Sequence, residues 1–154
     1  CKVAVADVNG DGRLDVILSH SEKPGYPVSW YEAPPDPKKG EWREHVIGQV
    51  DYCHSLKAAD FDGDGDIDVL AAEMPRYTPQ DAPVVIFINQ GGGSRWETVL
   101  LSKTGSYSAQ VGDIGNDGDQ DVIGLRNFDR PPIEIWENLT ANGGKSRAAS
   151  PSTP

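Results

Sequence analysis

Three copies of one nine-residue, aspartate-rich pattern constrain this chain more than any other feature of its sequence. The copies are DVNGDGRLD in residues 7–15 (loop one), DFDGDGDID in residues 60–68 (loop two) and DIGNDGDQD in residues 113–121 (loop three). They begin at residues 7, 60 and 113, a constant period of 53 residues. A fixed period of this length indicates a repeat protein, in which each repeat is one unit of supersecondary structure.

Short apolar runs surround every copy of the pattern and predict β-strands. One run precedes each copy (KVAVA, SLKAA and SAQVG), and a second run follows it (DVILSH, DVLAAE and DVIGLR). A third run comes later in each repeat (VSWYEA, VIFINQ and EIWENL), and a fourth occurs in the first two repeats (WREHVIG and WETVLLS). The 17 glycines and 12 prolines suit a chain with many turns. The sequence therefore predicts an all-β fold whose unit is four short strands, with an aspartate loop between the first two.

The spacing of the acidic residues within each loop points to calcium. Carboxylates at positions 1, 3 and 5, a carbonyl at position 7 and an aspartate at position 9 provide oxygen ligands around one point, and glycine at position 6 permits a sharp turn. An EF-hand needs a glutamate at position 12 and flanking helices. Position 12 is Leu18, Ala71 or Gly124, and the flanking segments are predicted strands, which excludes the EF-hand.

The predicted calcium ligands form one set for each loop, and position 7 is included for its backbone carbonyl. They are Asp7, Asn9, Asp11, Arg13 and Asp15 in loop one; Asp60, Asp62, Asp64, Asp66 and Asp68 in loop two; and Asp113, Asp117, Asp119 and Asp121 in loop three. Gly115 stands at the third position of loop three, so we expect that loop to bind more weakly or through an additional water. Up to three calcium ions are predicted. The alternative is that all three loops are simply acidic, solvated turns.

Charge and hydropathy disfavour two classes of partner. The formal net charge is −10 and the sequence pI is about 4.6, so the electrostatic attraction that dominates nucleic-acid binding would be repulsive here. No apolar run approaches the ~18 residues that a membrane-spanning helix requires. We therefore expect neither a nucleic-acid partner nor a membrane span.

The three aspartate loops, the strands containing WYE and IWEN, and the EWREHVIG strand resemble the FG-GAP and VCBS-type repeats of β-propellers. That family includes the integrin α-subunit head, several lectins and several carbohydrate-active enzymes. The resemblance implies blades of four antiparallel strands, with the first strand innermost and a calcium loop joining the first strand to the second. We predict about three such blades in residues 1–139, followed by a linker or disordered tail in residues 140–154.

Three blades are fewer than the about 4 to 8 that close a propeller. We therefore expect the remaining blades to come from elsewhere in a longer parent chain, of which these three would be the last. The alternative is that several copies of the chain assemble into a ring.

Two columns of the repeat differ in residue type although the strands around them keep theirs. The 53-residue period aligns His20, Glu73 and Arg126 at the end of the second strand, and Cys1, His54 and Tyr107 at the start of the first. Both columns are expected at the propeller face opposite the calcium loops. We call this surface the axial face and define it by its predicted ligand-binding residues, which are His20, His54, Glu73, Tyr107 and Arg126.

These features predict a calcium-stabilised module that recognises a carbohydrate or a protein through the axial face. The alternative is the propeller domain of a carbohydrate-active enzyme, a lyase or a dehydratase. In that case His54 or His20 would accept a proton, and Glu73 and Arg126 would orient the substrate. The resemblance supports this alternative, because some enzymes of the family carry a histidine just before the strand that leads into the calcium loop.

The remaining signals concern packing and location. Aromatic residues recur in two columns of the repeat, Trp42 and Trp96 in one of them, and we expect these columns to pack between blades. A bridge between Cys1 and Cys53 is conceivable only if their Cα atoms lie within ~7 Å.

Asn138 begins an NLT sequence, a glycosylation acceptor in a secreted protein. Calcium loops of extracellular modules bind at about 10⁻⁴ to 10⁻³ M, so we expect an extracellular or secretory location.

Overall fold

The computed structural model describes residues 1–76, 81–126 and 133–140, and within these ranges the chain is all-β and contains no helix. The strands form three separate antiparallel sheets, which we call blades one to three. Blade one contains β1 (Lys2–Ala6), β2 (Asp15–Ser19), β3 (Pro27–Glu32) and β4 (Arg43–Gln49). Blade two contains β5 (Cys53–Ala59), β6 (Asp68–Glu73), β7 (Val84–Asn89) and β8 (Trp96–Ser102). Blade three contains β9 (Ser108–Gly112), β10 (Asp121–Leu125) and β11 (Ile133–Trp136).

Each blade is a simple meander in which every strand pairs with the next strand in the sequence. The orders are β1-β2-β3-β4, β5-β6-β7-β8 and β9-β10-β11. Antiparallel neighbours can be joined by short turns, and the glycine-rich aspartate loops form such turns between the first and second strand of each blade. The predicted all-β fold of antiparallel blades is confirmed, with four strands in blades one and two and three strands in the described part of blade three. The predicted tail, apart from Thr140, lies outside the described residues.

The first strand of each blade is the innermost one. β5 of blade two lies against β1 of blade one on one side and against β9 of blade three on the other. Side-chain hydrogen bonds cross both boundaries, from Ser19 Oγ to the Cys53 carbonyl at 3.4 Å and from Ser55 Oγ to the Ser106 carbonyl at 3.3 Å. The first strands of the three blades are therefore neighbours, which is consistent with propeller-like blades.

The core lies between the blades, and β6 shows why. All six residues of β6 are buried, although a strand with one solvated face would alternate between buried and exposed residues. Val69 and Ala71 face the cluster shared with blade one, whereas Leu70 and Ala72 face the cluster shared with blade three. The continuous apolar run in the sequence thus reflects a strand covered by a neighbouring blade on each side.

Trp30 of β3 is the largest fully buried side chain between blades one and two, with 2 % of its surface exposed. Its indole nitrogen donates to the Gly93 carbonyl of blade two at 3.0 Å, and its ring stacks on His45 with centroids 4.3 Å apart. Gly93 has φ +69°, and a Cβ there would lie 2.8 Å from the indole. A side chain at residue 93 would therefore disrupt this contact.

Trp42 is only half-buried, and its indole nitrogen donates to the nearby Pro37 carbonyl at 3.3 Å. Trp96 is also half-buried, and it donates to the Gly93 carbonyl at 3.1 Å. Trp30 lies within the cluster between blades one and two and Trp96 packs against it, whereas Trp42 does not belong to it. The difference arises because Trp42 precedes the outermost strand, which has solvent on one side.

Cys1 and Cys53 are both free thiols, so no bridge joins them. Cys53 is fully buried, and burial raises the pKa of its thiol to about 11. A thiol with so high a pKa is unreactive at neutral pH and packs as a small apolar residue. Among the described residues, no helix has the length and apolar character needed to cross a membrane.

Candidate metal centre and axial face

The three aspartate loops share one backbone conformation. Position 6 is a glycine with φ between +86° and +98° in every loop, as the sequence pattern predicts. Position 4 is also left-handed, and it is Gly10 in loop one, Gly63 in loop two and Asn116 in loop three, with φ of +74°, +78° and +57°. Asparagine tolerates this conformation better than most residues. Loop three therefore keeps the turn although its third and fourth residues differ from those of loops one and two.

The aspartate at position 1 closes each turn by accepting backbone N–H groups from across the loop. In loop two, Asp60 accepts from Gly63 at 2.7 Å and from Gly65 at 3.0 Å. Asp7 accepts from the amides of residues 11 and 12, and Asp113 accepts from those of residues 117 and 118. These bonds fix the position 1 carboxylate against the backbone of its own loop.

The aspartate at position 9 is buried in all three loops and has a structural role that the sequence pattern did not reveal. In loop two, Asp68 Oδ2 accepts from the Phe61 amide at 2.8 Å, and Asp68 Oδ1 accepts from the Asn89 amide at 2.8 Å. Asp15 and Asp121 make the same pair of bonds in blades one and three. Each carboxylate thus joins its own loop to the end of the third strand of its blade.

Loop two brings three carboxylates together. One oxygen from each of Asp60, Asp62 and Asp68 lies within 4.8 Å of the other two. Burial raises the pKa of Asp68 to about 6, and burial also raises the pKa of Asp62; neighbouring carboxylates add to both shifts. Clustered, partly desolvated carboxylates favour a bound cation, and hard oxygen donors are the ligands that calcium prefers. The donor set of loop two therefore fits calcium.

The two remaining predicted residues of loop two border this cluster. Asp64 is exposed, and one of its carboxylate oxygens accepts from the Asp66 amide at 2.9 Å. The predicted ligand of Asp66 is its backbone carbonyl, and its side chain is half-buried beside Gly91. Asp64 thus contacts other residues of its own loop and solvent.

Loop one differs because it contains a cation of its own. The Arg13 guanidinium forms an ion pair with Asp11 Oδ2, and its Nε donates to the Ala33 carbonyl at 2.9 Å. The Asn9 side-chain amide donates to the same Asp11 oxygen at 3.1 Å. The sequence predicted only a carbonyl ligand from Arg13. Its side chain would compete with a bound cation for Asp11. The sequence signal for this difference is the arginine at a position where loops two and three have aspartate.

Loop three has the backbone of the others but one ligand fewer. Gly115 contributes its amide to Asp121 Oδ2 at 3.2 Å, in addition to the bond from Ile114 at 2.8 Å. Asp113 is exposed, Asp117 is half-buried, and Asp119 is 8 % exposed. Asp113, Asp117 and Asp121 remain as side-chain candidates in this loop.

On the axial face, the structure brings His54 and Tyr107 together. His54 Nδ1 lies 2.7 Å from the Tyr107 carbonyl, and the two rings meet edge to face with centroids 5.5 Å apart. Because a carbonyl only accepts, Nδ1 carries the proton and Nε2 is left as the acceptor of the neutral ring. His20 stacks on Tyr26 at 4.2 Å, and its Nδ1 lies 3.8 Å from the Cys1 thiol.

The other two predicted residues of the axial face have contrasting environments. Arg126 is exposed, and its charge partly opposes the burial that raises the pKa of Glu134. Glu73 is only 4 % exposed and pairs with Cys53 in the ladder between β5 and β6. A ligand arriving from solvent would reach Arg126 readily and Glu73 very little.

A comparison with known protein families supports the interpretation of the loops. Residues 7–71 match the family model described as an FG-GAP-like repeat. The match begins at the first aspartate of loop one and ends inside β6, so it contains loops one and two and most of the strands around them. Over residues 7–71 the chain is therefore similar to the FG-GAP-like repeat family, which confirms the FG-GAP resemblance predicted from its aspartate loops.

Proposed function

We propose that this chain is a calcium-stabilised β-propeller module that recognises a carbohydrate or a protein through its axial face. The observation that carries the proposal is the carboxylate cluster of Asp60, Asp62 and Asp68 in a loop that has the FG-GAP-like pattern. Further blades, from a longer parent chain or from other copies, would complete the ring. The function then divides between two ends of each blade, with metal loops at one end and a recognition surface at the other.

Calcium binding explains why carboxylates with raised pKa values stand side by side in a turn. Bringing like charges together without a cation costs free energy, and burial adds to that cost. An ion that binds only the folded loops would stabilise the fold in proportion to its concentration. Loops of this type in extracellular modules bind at about 10⁻⁴ to 10⁻³ M. An extracellular or secretory location, where calcium is abundant, is therefore part of the proposal.

The three loops should differ in calcium affinity, and calorimetric titration of loop variants tests the proposal. Asp60→Ala removes a ligand from the cluster of loop two, whereas Asp113→Ala removes the corresponding ligand from a loop that already lacks one. We expect Asp60→Ala to abolish the strongest binding event and Asp113→Ala to leave it unchanged. Equal losses from the two variants would contradict the assignment of loop two as the principal site.

The axial face suits recognition because rigid strands hold its accessible residues. His54 lies in β5, between blades one and three, and is fixed by its bond to the Tyr107 carbonyl. Arg126 directly follows β10 and is exposed. An exposed guanidinium offers a charged hydrogen-bond donor that carbohydrates and peptide carboxylates can accept from.

Arg126→Ala is expected to weaken binding to this face by tenfold or more while leaving the fold intact. The loss of one bidentate charged contact is worth about 1.5–3 kcal/mol, whereas an exposed substitution changes stability by within ~0.5 kcal/mol. An array of neutral and acidic oligosaccharides, followed by titration of the strongest binder, measures the first effect. Thermal melting measures the second. Arg43→Ala, an exposed arginine on the outermost strand of blade one, is the matched control and should bind normally.

The geometry of His54 supports a second candidate function, the propeller of a carbohydrate lyase or dehydratase. With Nδ1 donating to the Tyr107 carbonyl, Nε2 is available to accept a proton from a bound sugar. A lyase acting on an acidic polysaccharide would create a conjugated double bond, which absorbs ultraviolet light. Turnover by the wild type that is lost in His54→Ala would favour the enzyme, and ligand binding with no absorbance change would favour the recognition module.

A further inference from the structure

We infer that two asparagines, Asn89 and Asn138, couple the metal loops of neighbouring blades, so that the state of one loop is transmitted to the next. Both are positioning residues, since they hold loop backbone and are not themselves predicted ligands. The inference rests on the proposed calcium function for its consequence, but its geometric basis lies entirely in the hydrogen bonds between blades.

Asn89 joins loop one to loop two. Its side-chain amide donates to the Val8 carbonyl of loop one at 3.0 Å and to the Ile67 carbonyl of loop two at 3.3 Å. Its backbone N–H donates to Asp68 Oδ1 at 2.8 Å. Asn89 is fully buried and Val8 is 1 % exposed, so water cannot replace the bond between the blades. One residue thus contacts both loops and a predicted metal ligand.

Asn138 repeats the arrangement between loops two and three. Its side-chain amide donates to the Phe61 carbonyl at 2.7 Å and to the Gln120 carbonyl at 3.2 Å. Its backbone N–H donates to Asp121 Oδ1 at 2.7 Å. Phe61 is the second residue of loop two, as Val8 is of loop one, and Gln120 directly precedes position 9, as Ile67 does. The same residue type therefore makes the same three bonds at both boundaries.

Together these bonds form one connected path through all three loops. The position 9 aspartate of a loop accepts the amide of the loop's second residue, and the carbonyl of that second residue accepts from the asparagine of the next blade. The backbone of that asparagine then donates to the position 9 aspartate of its own blade. The path begins in blade one, where Ala33 makes the backbone bond to Asp15 at 2.8 Å but has no side-chain amide.

Because of this path, a cation bound in one loop would restrain residues of the neighbouring loops. A cation in loop two would fix Asp68, and Asp68 holds both the Phe61 amide and the Asn89 amide. Restraint of Asn89 restrains the Val8 carbonyl of loop one. Restraint of Phe61 reaches the Asp121 carboxylate of loop three through Asn138. Loops one and three then lose less freedom when they bind their own ions. Positive cooperativity, with loop two filling first, is the expected result.

The same geometry assigns a structural role to the asparagine of the NLT sequence. Both N–H groups of the Asn138 side-chain amide are used, one toward each neighbouring loop. A glycan on Nδ2 leaves a single N–H for two carbonyl acceptors. Glycosylation at this residue and coupling between loops two and three therefore exclude each other.

Amide hydrogen exchange in the full chain, first measured in chelator, tests the coupling without metal. Asn138→Ala should speed exchange of the Phe61 amide in the neighbouring blade about tenfold, the effect of losing one hydrogen bond of ordinary strength. The Val8 amide, one blade further away, should be unchanged. Thr140→Val is the matched control, because Thr140 contacts Asn138 Oδ1 and not the amide that crosses to loop two. It should leave the Phe61 amide unchanged.

A double-mutant cycle with calcium then tests transmission of metal occupancy. Asp64→Ala, in loop two, should weaken calcium binding at loop three several-fold, as followed by the Gly118 amide resonance, and Asn138→Ala should remove that effect. An unchanged Phe61 exchange rate in Asn138→Ala, or an effect of Asp64→Ala that survives it, would overturn the coupling. Coupled exchange in a wild type that shows no response to calcium would instead contradict the proposed function.

Discussion

Trp30→Ala is expected to lower the free energy of unfolding by about 3–5 kcal/mol, the range for removing a large aromatic side chain from a core. Trp30 is 2 % exposed and packs in the cluster shared by blades one and two. The substitution also removes the donor to the Gly93 carbonyl and the stacking partner of His45. Because these contacts cross a blade boundary, the loss should appear as weaker cohesion of the two blades. Urea unfolding at saturating calcium measures it.

Trp42→Ala is the matched control for Trp30→Ala. Trp42 is half-buried, and its indole donates to Pro37 within the same connection between strands. Its loss should cost clearly less than that of Trp30, since solvent already reaches part of the ring. Equal costs for the two variants would show that the boundary between blades one and two does not depend on Trp30. A Trp30→Phe variant should recover most of the packing and lose only the hydrogen bond.

Asp68→Ala is expected to destabilise the protein with and without calcium. The Asp68 carboxylate accepts from two backbone amides, those of Phe61 and Asn89, and both of these residues are buried. Each buried donor left unsatisfied costs about 1–3 kcal/mol, so the pair should cost roughly 2–6 kcal/mol. In calcium the loss of a metal ligand adds to this cost. Thermal and urea unfolding in chelator and in calcium separate the two contributions.

Asp64→Ala provides the comparison that separates metal binding from backbone support. Asp64 is exposed, and its carboxylate accepts from the Asp66 amide within its own loop and not from the amides of Phe61 or Asn89 that bind Asp68. It should cost stability in calcium but little in chelator, whereas Asp68→Ala should cost stability in both. If Asp68→Ala were harmless in chelator, the aspartate at position 9 would serve the metal alone and the proposed supporting role would be wrong.

Much of the fold was predictable because the same pattern of apolar strands around an aspartate loop occurs three times in the sequence. Loops one to three lie between the first and second strands of their blades, as expected, and the apolar run of β6 is buried on both faces. Burial of individual side chains was less predictable. Trp30 and Trp42 are both tryptophans of blade one, but only Trp30 faces a neighbouring blade. Which face meets a neighbour depends on tertiary packing.

The sequence predicts which loop residues are candidate ligands, but it does not predict the hydrogen bonds that hold them in place. The pattern predicts Asp15, Asp68 and Asp121 as metal ligands, yet one of the backbone amides that each accepts from lies at the end of a third strand that is distant in sequence. The bonds of Asn89 and Asn138 to neighbouring loops were not predicted, because the two residues are not separated by the 53-residue period and the connections between strands differ in length. Residue type and spacing identify ligands more readily than they identify the residues that hold those ligands in place.

The measurement that tests the central claim most directly is thermal melting of the wild type in chelator and in about 10 mM calcium. At dissociation constants of about 10⁻⁴ to 10⁻³ M, each filled loop should add roughly 1–3 kcal/mol of stability. For a chain of this size that raises the melting temperature by several degrees or more. Magnesium at the same concentration should raise it less, because magnesium dehydrates reluctantly and requires octahedral geometry. The same melting temperature in chelator and in calcium would contradict the account.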